Sequence, residues 1–354
     1  GLACKISVRC PDDAHGCALM PDGSRGLQYV DMLGNEGDMI GRVLSFQSPA
    51  VFTTKRIGQS NPYPGDTNVL TMTLATNVEF RAAAMEVARI TITGLTNANV
   101  TVGSVNLGGS HPFADAFWDG QGTLTFRVAA DMMAGVPYVL TFEVKNPFTP
   151  QDPCESSPIQ ADCAGPVFVE SSELEMRKED GYMVSDPLRV LSNIFDARPG
   201  EGYPMYVRSS DFRVAKIQQS SPYPCSSNVI CVSLRPSVPL TAETKTRIVI
   251  SPLTNARSAS GTGTLKIYNS TAFAELGLEN PGVDIFKSPV SGILSTGHWN
   301  DDADSLEVEV TCRIDAGQYI KMCFNLINPA EEQTDPPPVY VKLSSQPTPQ
   351  ELQP

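Results

Sequence analysis

Histidine and tryptophan are scarce in this 354-residue chain, at three and two residues, and the 26 Lys and Arg are outnumbered by 39 Asp and Glu. The resulting charge of −13 repels phosphate backbones, and no basic cluster offsets it, so nucleic acid is not an expected partner. No apolar run approaches the roughly 18 residues of a spanning helix, so no membrane span is expected. No charged-then-apolar leader stands behind Gly1, and any signal peptide is expected either to have been removed already or to lie outside this sequence. Clean helical spacing at i, i+3, i+4 and i+7 is also missing; the stretch FRAAAMEVA around Ala83 comes nearest. His15, His111 and His298 share no ligand spacing, and no hydrolase, zinc-protease or phosphate-loop motif is present. Asp301, Asp302 and Asp304 form the densest carboxylate cluster, which suits a solvated hairpin better than a calcium loop. No catalytic, cofactor-binding or metal-ligating residue is therefore assigned, and an enzyme is not expected.

What the chain has is 27 Gly, 29 Pro and nine Cys. Gly and Pro at that level suit many short strands joined by turns. The cysteines are clustered without C-x-x-C spacing, which favours local disulfides, an oxidising compartment and an extracellular, secreted or cell-surface location. Cys312 and Cys323 flank RIDAGQYIKM, and a hairpin centred between Gly317 and Gln318 would set them opposite each other. Cys225–Cys231 and Cys154–Cys163 are the further expected pairs. One of Cys4, Cys10 and Cys17 is then left for another chain or as a free thiol.

The strongest signal is internal repetition. Lys55 to Leu74, KRIGQSNPYPGDTNVLTMTL, aligns with Ala215 to Leu234, AKIQQSSPYPCSSNVICVSL, at a constant offset of 160. ARITITGLTNA returns as TRIVISPLTNA, the block around Trp118 returns around Trp299, and YVLTFEVKNP returns as YIKMCFNLINP. Each block alternates with the period of a strand. The two prolines of each PYP segment call for a rigid bend, with Tyr63 and Tyr223 packed over the sandwich end. Trp118 and Trp299 are expected as core plugs. The expected fold is all-β: two tandem Ig-like, Greek-key β-sandwiches with Pro-rich linkers. The first spans residues 1–150 with a Cys-rich N-terminal segment, followed by a linker at 151–165. The second spans 166–330 with a loop insertion near 258–294, and a Pro-rich tail covers 331–354.

The blocks IGQSNPYPGDTNVLTMTL, ITITGLTNA, TLTFRV and YVLTFEVKNP resemble an immunoglobulin-like repeat of large secreted or surface proteins of algae and other protists. The resemblance implies structural roles in cell coats, adhesins or mastigoneme-like fibres, and it implies no catalytic residues. The leading expectation is a structural subunit of an extracellular filament or coat. An adhesion or glycan-binding ectodomain, using rim loops of the second repeat, is the alternative.

Two sequons, at Asn99 and Asn269, are expected to carry glycans. Gly165–Glu173 and Pro338–Gln346 look like copies of one boundary strand, with a weaker third at Lys5–Val8. With two repeats, one copy is spare. Val339 and Val341 would face one side of the last copy, and Tyr340 and Lys342 the other. Inserted into another copy of the chain, that strand would give a head-to-tail polymer.

Overall fold

The computed structural model describes residues 50–82, 88–152, 164–172, 181–185, 191–258, 261, 263–268, 285–344 and 350–353. Alternation dictates the elements. In the strand Thr67–Thr76, Leu70, Met72 and Leu74 are wholly buried, while Val69, Thr71 and Thr73 on the other face are half-buried. The first repeat contains β1 (Phe52–Gln59), β2 (Thr67–Thr76), β3 (Arg89–Thr93), β4 (Gly103–Ser104), β5 (Gly108–Ser110), β6 (Phe113–Trp118), β7 (Leu124–Val128), β8 (Tyr138–Lys145) and β9 (Phe168–Ser171). They form two antiparallel sheets, ordered β1-β2-β8-β5 and β4-β6-β7-β3-β9. The chain changes sheet between β2 and β3, into and out of β5, and on either side of β8, which is the crossing pattern of a Greek-key sandwich.

The second repeat contains β10 (Phe212–Gln219), β11 (Ser227–Pro236), β12 (Arg247–Ser251), β13 (Arg257–Ser258), β14 (Thr264–Lys266), β15 (Phe286–Lys287), β16 (Thr296–Asn300), β17 (Ser305–Val310), β18 (Ile320–Ile327), β19 (Tyr340–Leu343) and β20 (Gln350–Glu351). Its sheets run β10-β11-β18-β13 and β14-β16-β17-β12-β19-β20, with β15 added on β17. One core joins them, with Val232, Leu234 and Phe324 from one sheet and Ile248, Trp299, Val308 and Val341 from the other. The repeats match in register: Phe52 pairs with Thr76 and Phe212 with Pro236, and the same irregularity follows each pair. Trp118 and Trp299 are wholly buried at equivalent places. No helix is present among the described residues, and the helical stretch considered around Ala83 lies mostly outside them.

The boundary strands close the sandwich they follow, beyond the limits drawn at 150 and 330. β9 pairs antiparallel with β3, and β19 pairs with β12. A short return segment then runs parallel to the first strand of each repeat. Val184 bridges Arg56, and Gln353 bridges Lys216.

Candidate interaction surface

Two prolines in the corner after β1 fix the backbone and remove amide donors, so side chains satisfy the polar groups that remain. Asn68 is wholly buried there. Its Oδ1 accepts from the amides of Ser60 (3.1 Å) and Asn61 (3.2 Å), and its Nδ2 donates to Gln59 Oε1 (2.9 Å) and Asn146 Oδ1 (2.9 Å). Asn146 Nδ2 donates to the carbonyls of Asn61 (2.8 Å) and Tyr63 (2.9 Å). The second repeat rebuilds this clasp. Asn228 accepts from the Ser220 and Ser221 amides and donates to Gln219 and Asn328. Asn328 donates to the carbonyls of Ser221 and Tyr223.

One corner residue in each repeat has a left-handed backbone: Gly65 (φ 68°) and Cys225 (φ 56°). A side chain at position 65 would meet the Phe148 ring 2.3 Å from its Cβ. The second repeat has Ala330 after its Asn-Pro where the first has Phe148, and it carries a cysteine at the turn.

What covers the two corners differs. In the first repeat, the connector at residues 191–211 lies over the clasp. Gln59, 2% exposed, donates its amide to Gly202 O (3.1 Å) and its Nε2 to the carbonyls of Glu201 (2.8 Å) and Tyr206 (2.9 Å). The Arg208 amide donates to Pro62 O. Gln151 pairs with Val207 and donates to Met205 O (3.0 Å), which buries Met205 and Val207 completely. The Tyr63 hydroxyl accepts from the Phe195 amide (3.0 Å), and its ring lies 5.6 Å from the Arg208 guanidinium.

Arg208 joins both sandwiches. Its fork closes on Glu201 at 2.7 and 2.6 Å, and Nη1 reaches Phe195 O (2.9 Å) and, in the second sandwich, Ser237 O (3.0 Å). Burial works against its charge, but the Glu201 carboxylate raises the guanidinium above its ordinary value, so Arg208 keeps its charge. Phe195 stacks on Arg235 of β11 at 4.4 Å, and Arg313 holds Asp66 across the joint. Burial pushes the Tyr63 and Tyr206 phenols up, and burial with the Tyr182 hydroxyl pushes Tyr203 up to about 12.

In the second repeat nothing described covers the corner. Tyr223 is 72% exposed, where Tyr63 is 7% exposed. The sequence reading that packed both tyrosines over a sandwich end is thus correct for Tyr63 only. Next to the clasp residues Asn228 and Asn328, a groove of about 350 Å³ is lined by Ile217, Ile230, Leu253, Ala256, Leu326 and Val339.

The other expected sites fall as follows. Cys231 is bonded to Cys323, and Cys225 and Cys312 are free and exposed, which replaces the expected Cys312–Cys323 and Cys225–Cys231 pairs. The hairpin argument fails because Cys312 follows β17 and Cys323 lies in β18, and those strands belong to opposite sheets. Cys231 and Cys323 face each other directly on β11 and β18, with Cα atoms 4.1 Å apart. The backbone of Cys323 bonds to Tyr268 on the far side, which makes this a non-hydrogen-bonded pair with side chains close enough to join. Both cysteines point away from the core positions of their strands, and that shared face was the available signal. Thr71 and Thr141 hold the corresponding places in the first repeat.

Cys4, Cys10, Cys17, Cys154, Cys163 and Asn269 lie outside the described residues, whereas Asn99 is exposed. Val339 lines the groove, and Tyr340, Val341 and Lys342 lie in β19, paired with β12 of their own chain. The strand expected to enter another copy is seated at home. Asp301 accepts from Trp299 Nε1 (2.7 Å) within the hairpin, and Asp304 accepts from the Asn255 amide (3.0 Å), which ties the hairpin to the loop after β12.

No family model and no curated protein matches the chain. Similar solved structures include the collagen adhesin (CNA) of S. aureus, at 10% identity over 85% of this chain and 87% of that one, with a TM-score of 0.19. The C-terminal domain of the AgI/II polypeptide BspA of Streptococcus agalactiae gives 8%, 86%, 98% and 0.28. The B domain of a biofilm associated protein gives 6%, 85%, 83% and 0.21. TM-scores this low carry no argument about what the chain does.

Proposed function

We propose that the chain is a structural module of an extracellular assembly, working by surface contact between sandwiches. The observation that carries this reading is the joint. A connector that buries the Arg208–Glu201 salt bridge, 4% and 2% exposed, fixes one sandwich on the next, which a chain of independent binding domains does not need. The Cys231–Cys323 bond suits an oxidising space, and glycans on the exposed Asn99 would keep nearby surface hydrated. Antibodies raised against residues 51–354 test the reading on intact source cells. Surface coat or fibre labelling is expected, and labelling confined to the cytosol would refute it.

An adhesive role is the second reading. The described part of the second-repeat insertion exposes Val290 (71%), Ile293 (56%) and Leu294 (51%) together. Replacing all three with Ser would abolish attachment to an immobilised surface if this reading holds, and leave attachment unchanged if it does not.

A further inference from the structure

The two sandwiches do not meet flush. Beside the joint lie two clefts of about 610 and 410 Å³, with Pro64, Thr241 and Glu243 as their common wall. Each is in the size range of small-molecule sites. The larger is walled by Phe148, Pro150 and Pro239 and by Thr241, Thr244 and Thr246, whose hydroxyls are linked in a row. Phe148 has Gly65 close beneath its ring and remains 42% exposed. The smaller cleft is walled by charges that are already matched, Asp66 with Arg313 and Lys145 with Glu243 (3.4 Å). A charged ligand would have to break one of those pairs. A neutral, hydroxyl-rich one would not: carboxylate lone pairs accept from its hydroxyls, and the negative face of an aromatic ring attracts its C–H groups.

A ligand of that chemistry has its attachment point at the rim. Asn99 is exposed and begins the sequon Asn99-Val100-Thr101, and its amide donates to Lys145 O (2.8 Å). Residues opposed on neighbouring strands share a face, so Asn99 projects beside Lys145, whose ammonium reaches Glu243 of the second sandwich. At the equivalent place the second repeat pairs Arg257 with Ile327, and it has Ala330 where the first has Phe148. The sequon and the exposed ring thus occur together in one repeat and are replaced together in the other.

We propose that the cleft at the joint is a carbohydrate site, filled by the chain's own N-glycan on Asn99. A sugar ring lies on Phe148, and sugar hydroxyls meet Thr241, Thr244 and Glu243. This takes up the Asn99 glycan of the structural-module reading and says where it lies. A short tether gives an effective concentration in roughly the millimolar range, so weak sugar contacts suffice to keep the cleft filled. The glycan then touches both sandwiches and stiffens the joint.

The full chain, secreted from a host that adds high-mannose N-glycans, provides the test. Phe148→Ala copies the second repeat, and Thr101→Ala removes the sequon at an exposed position. Peptide N-glycosidase should release the Asn99 glycan from the native chain about tenfold more slowly than from folded Phe148→Ala, and at one rate from both once denatured. Distances between spin labels on the two sandwiches should spread on Thr101→Ala, and the double variant should spread them no further. Free high-mannose oligosaccharide at millimolar concentration should narrow the distances of Thr101→Ala and leave those of the double variant unchanged. Equal release from the two folded chains, an Asn99 without glycan, or fully additive spreading would overturn the proposal. Equal release with narrowing by the free sugar would also overturn it, assigning the cleft to a carbohydrate from outside the chain. Each of these failures leaves the structural-module reading standing; cytosolic labelling of source cells would sink that reading without altering these measurements.

Discussion

Arg313 of the second sandwich grips Asp66 of the first in a two-point ion pair, Nη1 to Oδ1 at 2.7 Å and Nη2 to Oδ2 at 2.9 Å. Asp66 holds the guanidinium above the usual arginine value, so its charge persists at any working pH. With Arg313 48% exposed, water screens the pair, and its worth is about 1 kcal/mol or less. Arg313→Ala is expected to leave both sandwiches folded and only to broaden the distance distribution between spin labels on the two.

Arg208 carries a different weight. Removing it as Arg208→Met strands Glu201 in the interior, at a cost of about 3–5 kcal/mol. Arg208→Lys should recover little, because one ammonium cannot reach the acceptors that the fork now serves. Denaturant unfolding should also show the double change Glu201→Met with Arg208→Met to be milder than either single change. A double variant worse than both would show that the pair itself stabilises the joint.

The Cys231–Cys323 bond closes a separation of 92 residues, for which chain entropy alone predicts a contribution of about 4–5 kcal/mol. Replacing both cysteines with Thr copies the first repeat's Thr71 and Thr141. The change should lower the melting transition of the second sandwich and leave that of the first in place, as differential scanning calorimetry would show. Peptide mapping without reductant should recover Cys231 joined to Cys323.

Alkali should loosen the joint. Tyr63, Tyr203 and Tyr206 all have raised values in the folded state, chiefly through burial, Tyr203 at about 12. The unfolded chain therefore loses these protons first. Their contribution is complete below about pH 10 and falls as pH climbs through the folded values. Tyrosinate absorbance should rise late for these three residues, in step with separation of the labelled sandwiches. A broadening of the distances that begins near neutral pH would contradict this account.

The two tryptophans separate packing from hydrogen bonding. Trp299 Nε1 donates to Asp301, whereas the buried Trp118 Nε1 has no partner among the described residues. Both changes to Phe lose similar volume, but only Trp299→Phe breaks a bond. It should be the more destabilising by about 1 kcal/mol in urea titrations.

The repeat, the strands and the buried tryptophans were legible because period-two alternation and a constant offset are local facts. The asparagine clasp was present as Asn68, Asn146, Asn228 and Asn328 without announcing itself, since a buried amide is known by its partners. Strand neighbours were not legible: Cys312 and Cys323 are close in sequence yet sit on opposite sheets, while Cys231 reaches Cys323 across 92 residues. The alternation of Tyr340 to Lys342 reads directly from sequence, but the sheet that receives the strand does not. The exposure of Tyr223 depends on what lies over an unchanged corner, and no property of PYP encodes that.

The return segment at Val184 runs parallel to β1, bonding Val184 N to Lys55 O at 2.8 Å and Val184 O to Ile57 N at 3.1 Å, with the Gly202 carbonyl on the Gln59 amide beyond. Tension drawing residue 52 and residue 202 apart pulls along this seam and loads its bonds together, where a hairpin peeled from one end would release them singly. The second repeat has the same seam at Ala215, Ile217 and Gln353. Each repeat therefore resists such tension by sliding resistance, and it yields when its seam loses the outermost bond.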